Sequence, residues 1–323
     1  MSQSSQPVKI VVPGDDPTQL HGSPHLERLK QFGDVIVHTD RPASKEEKVR
    51  RCHDATCLIN SRSAVKWPGD VLRQLPKLRM IGVCGIGYDP IDVEACRELG
   101  IVVSNIPGRT AGIVAEHSLG LLFAVAKRAW YQTNEIKSGR WTGMDNVYLR
   151  GKTLGIIGTG DIGAEMARLG NALGMKVVAW TFNPSVERAA QLGATFLPLD
   201  DLLRTSDAIS IHVKLTDKTR GLFGSRELGL MKNGAILVNT ARGAIIDSAA
   251  LVSALKSGRL GGAGIDVFEV EPIAKDHPLL TCEQVVLTPH NADQTPEGTD
   301  LLNGGVVDNV IAFLEGRPQN RVV

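Results

Sequence analysis

The sequence predicts an α/β protein built on open parallel sheets, on three observations. Short apolar runs alternate with stretches of helical periodicity along most of the 323 residues, the pattern of a parallel sheet covered on both faces. Thirty-four glycines suit a fold with many strand-to-helix turns. Residues 154–181, LGIIGTGDIGAEMARLGNALGMKVVAWT, read as strand, glycine turn, helix and strand in direct succession.

Composition narrows the class. Apolar residues make up 42%, charged residues 22%, and the formal net charge is +1. That describes a soluble globular chain long enough for two ordinary domains, with no electrostatic case for nucleic acid or a membrane surface. No run approaches the length of a membrane span, and the opening MSQSSQP has no apolar segment of signal type behind it. Cys52, Cys57, Cys84, Cys96 and Cys282 form no metal-ligand spacing, and buried thiols in a reducing, cytoplasmic compartment are expected. No metal is expected.

Along the first hundred residues, strands are predicted at 8–12, 34–38, 55–59, 78–84 and 101–103, with helices at 26–31, 46–52 and 91–99. This is an open α/β unit of its own. Gly85 and Gly87 follow a strand, but Pro90 stands where the third glycine of a dinucleotide turn would be. A compact loop whose amides hold a small anion is therefore expected there, in place of a second cofactor site. Residues 111–138 read as one long helix, apolar on too many faces for a surface helix, that crosses between domains or joins a subunit interface. Glu116 and His117 near its start are read as structural, hydrogen-bonded under the site. Trp141 falls in a Gly-rich linker.

The stretch 154–181 carries the most direct chemistry. Gly158-Thr159-Gly160-Asp161-Ile162-Gly163 has the spacing of a dinucleotide turn. Gly158 allows the tight bend, Gly160 lets a pyrophosphate approach the backbone, and Gly163 lets the helix pack closely on the sheet. The helix N-terminus then offers N–H groups to the phosphates. Asp161 is expected to cap that helix. The second strand should end in Asp or Glu for the adenosine ribose of NAD; it ends Ala179-Trp180-Thr181-Phe182-Asn183, with no acid.

After Thr181 the alternation resumes. Helices are predicted at 185–192, 199–205, 225–230 and 248–257, and strands at 195–197, 208–212, 235–239, 262–267 and 284–288. Residues 154–290 thus form one doubly wound domain, and a last helix at 295–314 crosses back to complete the first domain. Ligands bind at the carboxyl ends of such strands. Those ends carry His212, Asn239 followed by Thr240-Ala241-Arg242, Asp266 followed by Glu271, and Thr288 followed by His290. An arginine can clamp a carboxylate bidentately. A histidine exchanges protons near neutral pH, and a neighbouring carboxylate orients it. With a nicotinamide beside them, these groups suggest hydride transfer coupled to proton transfer at a hydroxyl or carbonyl. His212 is expected to support this chemistry or pack on the cofactor.

Several long passages, at 85–105, 114–128, 230–247, 262–272 and 287–290 together with the glycine turn, resemble the D-isomer-specific 2-hydroxyacid dehydrogenases over essentially the whole chain. The resemblance implies a flavodoxin-like substrate domain, residues 1–110 and 292–323, and a Rossmann cofactor domain, residues 111–291. It implies an active homodimer and a small 2-hydroxy or 2-keto acid as substrate. By matched position it makes Arg242 the substrate-carboxylate arginine, His290 the acid/base and Glu271 its partner. The same resemblance implies that Asp266 lies near the nicotinamide carboxamide, with Thr240, Ala241 and His212 about the cofactor. It further implies that Ser61, Arg62 and the loop Cys84-Gly85-Ile86-Gly87 face the substrate. Two departures stand out. Thr181 replaces the acid typical of NAD users, and no arginine follows it immediately, Arg188 being several residues on, so NAD and NADP both remain open. After His290 the sequence is polar, Asn291-Ala292-Asp293-Gln294-Thr295. The end at residue 323, with no further domain, speaks against the serine-regulated form of phosphoglycerate dehydrogenase. The alternative function on this fold is a non-catalytic, NAD(P)-sensing regulator or corepressor.

Overall fold

The structure is a computed structural model that describes residues 7–62 and 65–323. The N-terminal MSQSSQ, read above for the absence of a signal segment, lies outside the described residues. The backbone separates into two compact units, residues 1–110 with 295–323, and residues 111–294.

In the first unit β1 (Val8–Val12), β2 (Gly33–Val37), β3 (Cys57–Ser61), β4 (Met80–Cys84) and β5 (Val102–Ser104) alternate with α1 (Pro24–Glu27), α2 (Lys45–Cys52), α3 (Gly69–Leu72) and α4 (Val93–Leu99). All strands pair in parallel, in the order β2-β1-β3-β4-β5, the flavodoxin-like arrangement. Every residue of β3 and β4 is buried, because helices cover both faces of a central parallel strand. The helix starts follow capping chemistry: Ser44 accepts from the Glu47 amide and Asp92 from the Ala95 amide. The first helix is shorter than the predicted 26–31, since Ser23 and Pro24 start it early and its turns loosen after Glu27. The short α3 was not foreseen; four residues carry too little periodicity to see.

The second unit opens with α5 (Ala111–Ala126) and α6 (Ala129–Lys137). The single long helix expected over 111–138 is therefore two. Arg128 adopts a left-handed backbone, φ 48°, which ends one helix and redirects the chain into the next. The apolar breadth of α5 comes from packing on the unit's own sheet: a Cβ at Gly264 would lie 2.8 Å from the Cβ of Leu121, and one at Gly262 would lie 2.6 Å from Val125. There follow β6 (Thr153–Ile157), α7 (Asp161–Ala172), β7 (Lys176–Trp180), α8 (Val186–Leu192), β8 (Thr195–Phe196), α9 (Leu199–Thr205), β9 (Ala208–Ile211) and α10 (Ser225–Leu230). The unit closes with β10 (Ala235–Asn239), α11 (Ser248–Lys256), β11 (Leu260–Ile265) and β12 (Val285–Leu287). The seven parallel strands order as β12-β11-β10-β9-β6-β7-β8. This is the doubly wound Rossmann order with one strand added, and its switch point lies between β6 and β9.

The chain then returns to the first unit as α12 (Pro296–Leu314), capped by Thr295. This helix lies against β4, where a side chain at Gly82 would meet Val306 at 3.0 Å. Among the described residues no helix is long and apolar enough to cross a membrane.

Candidate active site

The glycine turn sits at the switch point of the second sheet. Gly158 has φ 95°, and a Cβ there would stand 2.8 Å from the backbone of His212, so only glycine fits between β6 and β9. A Cβ on Gly163 would overlap the Gly158 carbonyl oxygen at 2.0 Å, which is how closely α7 enters the turn. Gly160 faces open space and is itself the N-cap. Asp161 does not cap this helix, contrary to expectation. It is the first helical residue, and no side chain caps the start. The first-turn amides are thus left to an incoming anion, and the residues fit a dinucleotide pyrophosphate. Thr159 is buried and Ile162 packs into the core beneath the turn. His212 follows β9 and hydrogen-bonds Ser210 Oγ through Nε2 at 2.8 Å; burial pushes its pKa down to about 3, so it stays neutral.

The proton-handling groups come from β10, β11 and β12, which lie side by side. His290 Nδ1 and Glu271 Oε2 are 2.7 Å apart. An ionised carboxylate only accepts, so Nδ1 carries the proton and donates it, leaving Nε2 as the nitrogen that can exchange with a substrate. Burial would raise the pKa of Glu271. The hydrogen bond and charge of His290, the Phe268 amide and the charge of Arg242 outweigh it and hold the carboxyl below its ordinary value. Arg242 follows Asn239-Thr240-Ala241 at the end of β10, and buried Asn239 shapes that turn by donating to the Arg242 carbonyl and accepting from the Ala241 amide. Thr240 is buried against Ser118 Oγ at 2.8 Å. Gly243 then passes so close to the Phe268–Glu269 backbone that a Cβ would lie 2.0 Å from the Phe268 carbonyl carbon. The absence of a side chain there seats the Arg242 turn directly beside the loop that carries Glu271.

Asp266, fully buried at the end of β11, holds the histidine loop. Its carboxylate accepts from the Thr288 hydroxyl at 2.6 Å and from the amides of Asn291 and Ala292 at 3.0 and 3.2 Å. Its carbonyl accepts from the His290 amide at 2.7 Å. His117 of α5 completes the chain with Nε2 3.0 Å from Thr288 Oγ1; since that hydroxyl donates to Asp266, it accepts from His117. His117 is thus hydrogen-bonded under the histidine loop, as its sequence position suggested. Asn239 and Thr288 were named in the sequence only as strand ends, with no role of their own, and Gly243 was given none either. A strand-end Asn and the Arg-Gly pair were the available signals, whereas the Thr288 partner becomes visible only once β11 and β12 are adjacent. The polar stretch after His290 is a turn: two of its amides serve Asp266, and Gln294 donates to the His290 carbonyl at 3.3 Å.

In the first unit Ser61 and Cys84 pair in register at the ends of β3 and β4, both buried. Ser61 Oγ has no hydrogen-bond partner within the described residues, and Arg62 adopts φ 49°. The loop from Gly85 to Gly87 is half-buried and fixed by its carbonyls, Gly85 to the Ile106 amide and Ile86 to the Asn105 side chain. All five cysteines are buried and none forms a disulfide among the described residues, with burial pushing the thiols of Cys52, Cys57 and Cys96 up to about 12. Among the described residues no group of three or more His, Cys, Asp or Glu is placed to hold a metal ion.

A dinucleotide turn at the switch point, with a carboxylate-paired histidine and an arginine on later strands of the same sheet, is the layout of a nicotinamide-dependent oxidoreductase. Comparison with known proteins makes the class specific. Residues 119–292 match the D-isomer specific 2-hydroxyacid dehydrogenase, NAD binding domain. The chain is 41% identical over 308 residues to a glyoxylate reductase of Aeropyrum pernix, covering 92% of each. It is 39% identical over 302 residues to a D-3-phosphoglycerate dehydrogenase of Archaeoglobus fulgidus, covering 92% of this chain and 56% of that one. An acyclic imino acid reductase solved in complex with NADPH and D-Arg superposes with a TM-score of 0.89 at 30% identity, covering 98% of this chain and 100% of that one. The chain belongs to the D-isomer-specific 2-hydroxyacid dehydrogenase family, and it is an oxidoreductase that uses NAD or NADP.

The depressed pKa of Glu271 has a signed consequence. A carboxyl lowered on folding contributes stability that is fully present above its unfolded value, near 4.5, and is lost as pH falls through the folded value. Urea unfolding of wild type and Glu271→Gln should therefore differ near pH 6, where the carboxylate is ionised, and the two should converge as pH drops below 4.5. A difference that does not change with pH would show that the carboxylate's charge contributes nothing to the fold.

Proposed function

We propose that this enzyme interconverts a small 2-keto acid and the corresponding D-2-hydroxy acid, with glyoxylate and hydroxypyruvate the first substrates to try and 3-phosphoglycerate the next. The observation that carries the proposal is the 2.7 Å Glu271–His290 pair set beside the Arg242 turn. Arg242 binds the substrate carboxylate, matching its planar fork of donors to two oxygens and fixing the 2-carbon for reaction. His290, through Nε2, gives a proton to the carbonyl oxygen during reduction and takes it from the hydroxyl during oxidation. Glu271 balances the imidazolium charge and prevents the ring from turning. When bound, the nicotinamide supplies or accepts the hydride at the substrate's 2-carbon. Gly158–Gly163 hold its pyrophosphate, with Thr181, His212, Thr240, Ala241 and Asp266 as the remaining cofactor residues in this reading. Ser61, Arg62 and the amides of Cys84–Gly87 are proposed as substrate contacts on the family resemblance.

We also propose a cytoplasmic homodimer. The resemblance supports it, as do the exposed apolar side chains of Trp130, Ile136 and Trp141 along and just after α6.

The reaction is tested by following NADH and NADPH oxidation with a panel of 2-keto acids. His290→Ala should lower kcat about 10²- to 10⁴-fold, the range for loss of a general acid. Arg242→Ala should raise KM and cut kcat/KM about 10²-fold, as expected when a charge-assisted bidentate contact is lost. Normal turnover by both variants would overturn the assignment. Sedimentation equilibrium checks the dimer, and a monomer at micromolar concentration would contradict it.

A further inference from the structure

The end of β7, where a ribose-binding acid would stand, is Trp180 followed by Thr181, Phe182 and Asn183. Phe182 is 51% exposed and meets Trp180 edge-on, ring centroids 4.8 Å apart. The next acid along the chain, Glu187, is turned to its own helix start, accepting from its own backbone N–H and from the Ser185 hydroxyl. No carboxylate from this segment is therefore set to repel a phosphate.

A cation is present instead. Ser185 caps α8 and accepts from the Arg188 amide at 3.1 Å, which sets Arg188 on the first turn. From there its half-buried side chain reaches back so that Nη2 donates to the carbonyl of Thr159, inside the glycine turn, at 2.7 Å. Nη1 meets Gln191 Oε1 at 3.4 Å. Among the described residues no carboxylate lies within ion-pair distance of this guanidinium. Arg188 is 29 residues from Thr159 in sequence, yet the fold ties the two together beside the strand end that receives an adenosine ribose. A guanidinium offers five donors in a fixed plane; two are engaged here, and the others remain for an oxyanion.

We propose that Arg188 binds the 2′-phosphate of NADP(H), and that the acid-free end of β7 together with this cation makes the enzyme prefer NADPH to NADH. The proposal rests on the dinucleotide reading of the Gly158–Gly163 turn. Anchoring on the Thr159 carbonyl holds the guanidinium in place before the cofactor arrives, so little side-chain freedom is lost on binding. The turn's own amides serve the pyrophosphate, which both cofactors share; Arg188 acts on the group that distinguishes them.

The test is calorimetric titration of NADPH, NADH and 2′,5′-ADP into wild type, Arg188→Gln and Thr181→Asp, without substrate. Wild type should bind NADPH at least tenfold more tightly than NADH, and 2′,5′-ADP should compete with NADPH. Arg188→Gln should lose at least tenfold in NADPH affinity while its NADH affinity moves less than twofold, which also shows that the turn is intact. Thr181→Asp should weaken NADPH and tighten NADH. Equal wild-type affinities, or an equal loss of both cofactors in Arg188→Gln, would overturn the proposal, the second outcome pointing to a pyrophosphate contact. Failure of wild type to bind either dinucleotide would instead overturn the reading of the glycine turn, and this proposal with it.

Discussion

A fully buried carboxylate, Asp266, is the constraint on which the catalytic arrangement depends. Burying a charge is costly unless it is hydrogen-bonded, and Asp266 meets that cost with donors drawn from a single loop, the Thr288 hydroxyl and the amides of Asn291 and Ala292. The same loop carries His290 with φ 51°, a left-handed backbone that costs a residue with a Cβ roughly 1–2 kcal/mol. The charge-assisted bonds to Asp266 are of the size needed to hold that conformation. Without them the imidazole would have no reason to stand 2.7 Å from Glu271. His117 extends the clamp to α5, and α5 packs closely on the sheet at the glycines of β11, so the position of the histidine is tied to that packing.

The second sheet therefore performs two tasks at its carboxyl edge. On one side of the switch point, the turn after β6, the uncapped start of α7 and the first turn of α8 present glycine backbone, free amides and Arg188. On the other, β10, β11 and β12 present Arg242, Glu271 and His290. Close backbone approaches govern both sides. Gly158 and Gly163 let α7 enter the turn, and Gly243 lets the Arg242 turn touch the loop of Glu271. In each case the missing side chain is what permits the charged groups to converge.

Much of this was legible in the chain. The strand, turn, helix, strand passage at 154–181 marks its own structure because its signals are local. Arg242, Glu271 and His290 could be picked out because each follows an apolar run, and in a parallel sheet such ends share an edge. The features that escaped are those created by neighbours distant in sequence. Arg188 looked too far from Thr181 to matter until the side chain was seen folded onto Thr159. The capping role assigned to Asp161 failed because glycine at 160 is itself the N-cap. The break at Arg128 went unseen because its cause is a single backbone angle, while the periodicity on either side continues. Asp266 was read as a cofactor residue, and only the structure reveals how many of its lone pairs serve the histidine loop.

The central claim, that Asp266 positions His290 against Glu271, is most directly tested by proton NMR of the Nδ1–H resonance that His290 donates to Glu271, assigned by its loss in His290→Gln. Wild type should show this hydrogen-bonded proton near neutral pH. Asp266→Asn, which cannot accept from the Thr288 hydroxyl and both amides in the same way, should lose or markedly shift it while the protein stays folded. An unchanged resonance in Asp266→Asn would contradict the account, because the histidine would then be held without the clamp.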